Sequence, residues 1–177
     1  MVAYRRNFVA GGCFFFTVTL RDRTSTLLLD HWGLLRKAYA AEVKRRPWRT
    51  EALVLLPEHL HAIWTLPDGD ADFSGRWRGI KAGFVRELAK AGIALSRNAK
   101  GEADIWQRRF WEHSLRDEAD FAAHCDYIHF NPVKHGHVAR ALDWPHSSFH
   151  RWVARGVYPA DWGQGGVVDL DQNMGER

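Results

Sequence analysis

Cysteine is scarce: Cys13 and Cys125 are the only two in 177 residues, too few and too far apart for a disulfide framework or a four-thiolate zinc site. Each stands among apolar neighbours and reads as a buried thiol. No apolar run reaches transmembrane length, and Met1 to Asn7 carries Arg5 and Arg6 but no hydrophobic signal-peptide core. The expectation is a cytoplasmic protein with no membrane partner. Absent too are GxSxG, a Walker loop, a CxxC pair and HExxH, while Gly11-Gly12 is too short for a phosphate cradle. Ser25, Asp30 and His31 have no spacing that marks a hydrolase triad, and no internal repeat is visible.

What is present suits one compact domain: 46% hydrophobic content in a chain of this length supports a single sizeable core. The expected domain is residues 1–162, followed by a Gly-rich, acidic, flexible tail at 163–177. Charge is uneven. Residues 1–116 hold 20 Lys and Arg against 12 Asp and Glu, and residues 117–177 hold 5 against 9, so the basic part could face a polyanion. Nine Trp, several beside Arg (Trp48-Arg49, Arg76-Trp77-Arg78, Arg151-Trp152), offer stacking planes next to phosphate-pairing cations. Most of these Trp still read as core packing.

Periodicity gives the elements. Cys13 to Leu20 is β-branched and aromatic, a strand buried on both faces. Leu28 to Arg46 places Leu28, Trp32, Leu35, Tyr39 and Val43 at helical spacing, and Pro47 ends that helix. Glu51 to Leu56 and His59 to Leu66 form two antiparallel strands around Pro57-Glu58. Phe73 to Ala91 is a second amphipathic helix with Gly92 at its C-cap, and Ile105 to Leu115 is extended. Asp117 then caps a third helix running to about Asn131. Strand, helix, hairpin, helix, strand, helix predicts an α+β fold: a ferredoxin-like antiparallel sheet with helices mainly on one face, plus a C-terminal helical extension.

Within this frame two imidazoles stand one residue apart, His59 and His61, at the start of a strand. Side chains alternate faces along a strand, so positions i and i+2 point the same way about 6.6 Å apart and can share one metal ion. In the third helix Asp120, His124, Tyr127 and Asn131 share a polar stripe beside the apolar Phe121, Cys125 and Ile128. Tyr127 and Asn131, four apart, are neighbours on that helix face. Plainer readings stand beside these: a core tyrosine with a satisfied hydroxyl, and Asn131 as a C-terminal cap before Pro132. His135-Gly136-His137 repeats the spacing in a loop, which favours a structural or surface role.

Four ordered motifs carry a family resemblance: Leu56-Pro57-Glu58-His59-Leu60-His61, Trp106-Gln107-Arg108-Arg109-Phe110-Trp111-Glu112-His113, Asp126-Tyr127-Ile128-His129-Phe130-Asn131-Pro132-Val133-Lys134, and Trp144-Pro145-His146-Ser147-Ser148-Phe149. Together they resemble the REP-associated tyrosine transposases of the HUH single-tyrosine superfamily, nearly throughout the chain to about Trp162. The resemblance implies a ferredoxin-like α+β domain in which His59 and His61 hold Mg²⁺ or Mn²⁺ and Tyr127 attacks DNA. Related insertion-sequence transposases place a glutamine ligand four residues after the tyrosine. Here that position is Asn131, with His129 or His124 as substitutes for the third ligand.

The implied activity is cleavage and rejoining of single-stranded DNA through a 5′-phosphotyrosine, on hairpins of repetitive extragenic palindromes. Candidate DNA contacts are Arg5, Arg6, Arg78, Lys81, Arg108 and Arg109, with Trp106 as a stacking surface, in a monomer or homodimer. Alternatives are a relaxase or replication-initiator nickase using the same groups, and a catalytically silent binder of structured nucleic acid.

Overall fold

The computed structural model describes residues 9–164. Arg5 and Arg6, and the expected tail beyond Gln164, lie outside the described residues. Four strands form one antiparallel sheet: β1 (Cys13–Thr19), β2 (Arg49–Leu55), β3 (His59–Thr65) and β4 (Trp111–Ser114), in the spatial order β2-β3-β1-β4. The order and the alternation with helices are those of a ferredoxin-like α+β domain. Between β1 and β2 run α1 (Leu27–Asp30) and α2 (Trp32–Arg45), and between β3 and β4 runs α3 (Phe73–Lys90). The helix expected from Leu28 to Arg46 is thus broken at His31, whose backbone dihedrals (φ −124°, ψ 30°) leave the helical region.

Period-two alternation divides the sheet into two faces. Phe14, Phe16 and Val18 of β1, with Leu60, Ala62 and Trp64 of β3, pack against Leu35 and Ala38 of α2 and Trp77, Ile80, Phe84 and Leu88 of α3. Trp64 stacks on Trp77 at 4.2 Å between ring centroids with 17° between planes. These tryptophans are core, and so is Arg76: it is 2% exposed, ion-paired to Asp70 and bonded to the carbonyls of Arg46 and Pro47. The stacking role considered for Trp48 and Trp77 is therefore excluded by burial.

The opposite face is covered by α4 (Glu118–Lys134), with the 3₁₀ turn Ala141–Asp143 and α5 (Phe149–Ala154) beyond it. So α2 and α3 share one face while the C-terminal extension takes the other. Phe15, Ala52, Val54 and Ile63 meet Cys125, Tyr127 and Ile128 there. Asp117 caps α4 as expected, its carboxylate accepting from the Asp120 N–H at 2.8 Å. Residues 146–148 bond along β2, with the Leu55 N–H donating to the His146 carbonyl and the Ser148 N–H to the Leu53 carbonyl. Cys125 is buried, which pushes its thiol up to about 12, whereas Cys13 is only half-buried.

Candidate active site

Register places the histidine pair opposite two threonines: on β1, Thr17 pairs with His61 and Thr19 with His59. Both imidazoles point to the α4 face, and both are buried, His59 at 3% and His61 at 0% exposure. Their ring centroids are 4.9 Å apart. Each Nδ1 has a partner. The Glu58 carboxylate lies 2.9 Å from His59 Nδ1, and Thr17 Oγ1 lies 2.9 Å from His61 Nδ1. Burial would raise the Glu58 carboxyl, but the His59 hydrogen bond and the His59 and Arg23 charges hold it below the usual carboxylate value. An ionised carboxylate can only accept, so His59 carries its proton on Nδ1.

The Nε2 atoms of both histidines are buried without a hydrogen-bond partner. Burying such groups unpaired costs roughly 1–3 kcal/mol each, so two side by side on one strand need a reason. Burial, then the neighbouring His59, His135 and Lys134 charges, push His61 well below the ordinary imidazole value. A neutral imidazole with its lone pair on Nε2 is a metal ligand in waiting.

Tyr127 reaches this pair. Its ring lies edge-on to His61 with centroids 5.2 Å apart, and 5.9 Å from that of Phe15. Lys134 Nζ stands 4.9 Å from the Tyr127 ring centroid. The His135 ring is 5.5 Å from that of His59, so the exposed His135 borders the pair. Tyr127 is 1% exposed.

Asn131 sits one turn further along α4, fully buried, with neither Oδ1 nor Nδ2 hydrogen-bonded. It is not a helix cap: α4 continues through Pro132 to Lys134, with His135 as C-cap. Burial of Asn131 and Pro132 against the domain outweighs the cost of a late proline, and Gly136 (φ 71°) then turns the chain. His59, His61 and Asn131 each carry buried nitrogen or oxygen atoms that are otherwise unpaired, and donors of these types fit a divalent cation.

The substitutes considered for Asn131 sit elsewhere. His129 is fully buried on the α5 side of α4, its Nε2 3.0 Å from Ser148 Oγ and its ring against Phe149 and Tyr158. Burial, with Arg151 nearby, pushes it down to about 3. His124 belongs to a separate cluster with His113 and Asp120.

The candidate DNA contacts fall on the other face. Arg78, Lys81, Trp106 and Arg108 line a groove of about 570 Å³ along α3, together with Arg86 and Phe110. Lys81 is already engaged: its Nζ donates to the Gln107 carbonyl at 2.9 Å and lies 5.6 Å from the Trp106 ring centroid and 5.7 Å from that of Phe110. It therefore braces the groove wall. Arg109 is exposed and is not among the groove-lining residues. Glu58 and Thr17, which orient the histidines, were missed from sequence. The signal for Thr17 lay in the β1–β3 register, which a list of elements does not supply.

No family model matches the chain. A protein of Escherichia coli (strain K12) called REP-associated tyrosine transposase is 50% identical over 177 residues, spanning 100% of this chain and 98% of the relative. A solved structure of a REP-associated tyrosine transposase bound to a REP hairpin superposes with a TM-score of 0.85 at 48% identity, covering 100% of this chain and 98% of that one. The chain is thus an enzyme of the tyrosine transposase class. Within that class it belongs to the REP-associated tyrosine transposases. Among the described residues no helix is long and apolar enough to cross a membrane.

Proposed function

We propose that this chain cleaves and rejoins single-stranded DNA beside REP-type hairpins, with Tyr127 as nucleophile and with His59, His61 and Asn131 holding Mg²⁺ or Mn²⁺. The observation that carries the reading is the pair of buried, unpartnered Nε2 atoms on β3 beside the Tyr127 ring. When bound, the cation supplies charge that favours phenolate and offsets charge building on the scissile phosphate. Tyr127 Oη forms a bond to phosphorus as the P–O3′ bond breaks. The phenolic proton leaves Oη, and the departing 3′ oxygen ends as a hydroxyl. A 5′-phosphotyrosine keeps the bond energy, so another 3′-hydroxyl can reverse the step without ATP. Lys134, above the phenol ring, adds a cation that favours the phenolate.

Tyr127 is covered, so a strand reaches it only when the rim opens; exposed Lys134 and His135 form part of that rim. The groove with Arg78, Arg108 and Trp106 offers phosphate pairing and a stacking wall for hairpin DNA. Because the Tyr127 ring packs against His61 of the same chain, each copy would use its own tyrosine, in a monomer or in a homodimer.

The test is a labelled single-stranded REP hairpin incubated with protein and Mn²⁺, scored for a covalent adduct. The parent protein forms it, and Tyr127→Phe binds the hairpin without forming it. Hairpin binding with no adduct in the parent protein would instead support a silent structured-nucleic-acid binder.

A further inference from the structure

A second cluster of donors joins β4 to the two turns of α4 that precede Tyr127. His113 of β4, Asp120 and His124 each offer a ligand atom, and these atoms all lie within 4.8 Å of one another. The Asp120 carboxylate stands between the two imidazoles: Oδ2 is 3.0 Å from His113 Nε2, and Oδ1 is 3.2 Å from His124 Nδ1, which lies 2.8 Å from the Asp120 backbone carbonyl as well. The two rings are stacked, with centroids 4.9 Å apart and 15° between planes. The ring of Phe15 lies 4.8 Å from that of His124 and 5.5 Å from that of His61, so it is interposed between this cluster and the histidine pair on β3.

We propose that His113, Asp120 and His124 form a second metal site, distinct from the His59–His61 pair, that takes a borderline transition-metal ion, Zn²⁺ first. Two imidazoles and one carboxylate are a Zn²⁺ donor set that leaves a position for water or another oxygen ligand. Tetrahedral ligands about 2.1 Å from the ion lie roughly 3.4 Å apart, so donors within 4.8 Å of one another would close around an ion by side-chain rotation, with release of the ring proton that each imidazole turns toward Asp120. His113 is a third exposed, which gives an entry path. The Arg116 guanidinium pairs with Asp120 Oδ2 at 3.0 Å on a side chain that is 76% exposed, and the Arg116 backbone N–H donates to the same oxygen at 3.1 Å, which leaves Oδ1 as the oxygen for an ion. The ion would tie the first turns of α4 to strand β4 and thereby brace the helix that carries Tyr127.

Zn²⁺ stoichiometry by equilibrium dialysis on the full chain, with Co²⁺ absorption as a spectroscopic stand-in, tests this. The His59→Ala/His61→Ala protein should still bind one Zn²⁺ and show Co²⁺ d–d bands. His113→Ala and Asp120→Asn, checked for fold by circular dichroism, should bind that ion at least about tenfold more weakly. The proposal is overturned if the His59→Ala/His61→Ala protein binds no Zn²⁺, or if His113→Ala leaves the affinity of the remaining ion unchanged. Loss of DNA cleavage in the β3 variant with Zn²⁺ still bound separates this site from the catalytic reading.

Discussion

Thr17→Val probes the link between the sheet register and the proposed metal site. A metal on His61 Nε2 requires the ring proton on Nδ1, which then donates to Thr17 Oγ1 at 2.9 Å. Valine keeps the shape and removes the acceptor, and His61 is fully buried, so water cannot replace it. Leaving that N–H unpaired costs roughly 1–3 kcal/mol of stability. For a chain of this length that corresponds to a fall of about 2–4 °C in Tm per kcal/mol. The larger effect falls on the ion, because losing a partner that orients a ligating histidine lowers metal affinity about 10–100-fold, equivalent to roughly 1.4–2.8 kcal/mol. Mn²⁺ titration by calorimetry and thermal unfolding, run on parent, Thr17→Val and Thr17→Ser, read both. Serine restores the oxygen and should recover affinity while giving up the buried methyl. If Thr17→Val loses stability while Mn²⁺ binds as in the parent, the hydroxyl serves the core only and the orienting argument fails.

In the core, Trp64→Ala should cost about 3–5 kcal/mol in urea unfolding, since Trp64 packs on Trp77, Trp48 and Phe16; a loss below 1 kcal/mol would contradict that packing. In the groove, Arg78→Ala with Arg108→Ala should lower the slope of log K against log salt by about 1.4–1.8, whereas Arg109→Ala should leave the slope near that of the parent; an unchanged slope in the double variant places the hairpin elsewhere. For pH, burial acts to raise the Asp120 carboxyl, but bonds from His113 and Arg116 bring it down to about 2. Its folded value is depressed, so its contribution is present above the unfolded value near 3.8 and lost as pH falls from about 4 to 2. The full shift would be worth about 2 kcal/mol, and screening at the exposed Arg116 reduces it to about 1 kcal/mol. Asp120→Asn should flatten that acid limb in denaturation midpoints measured across pH, and an identical limb would remove Asp120 as its source.

Much of the scaffold could be read in advance because its signals are local. The apolar runs at Phe14–Val18 and Leu60–Trp64, the 3.6-residue spacing of Trp77, Ile80, Phe84 and Leu88, and the Asp117 cap each report on a few neighbouring residues. What escaped depends on distant parts of the chain. Pro132 looks like a terminator locally, and only tertiary burial of Asn131 and Pro132 lets α4 run on to Lys134. The bond from Lys81 to the Gln107 carbonyl also joins residues 26 positions apart. Likewise, Asp120 and His124 were legible as a polar stripe on one helix, but their closeness to His113 arises from the β1–β4 pairing that sets His113 beside Phe15.

The same alternation that buries the core also commits the histidines to one face. On β3, Leu60, Ala62 and Trp64 are locked among α2 and α3 side chains, so His59, His61 and Ile63 have only the α4 side left. A slip of one residue against β1 would turn both imidazoles into the Trp64–Trp77 layer and push Trp64 toward α4. That exchange forfeits the packing of a whole tryptophan, about 3–5 kcal/mol, and leaves two imidazoles unpaired in an apolar layer at roughly 1–3 kcal/mol each, a loss comparable to the whole stability of a typical domain. Stability therefore selects the register that puts Thr17 opposite His61 and Thr19 opposite His59. The cost of the unpaired Nε2 atoms is carried by the opposite face, where aromatic burial is dense enough to hold a polar, unpaired couple in place.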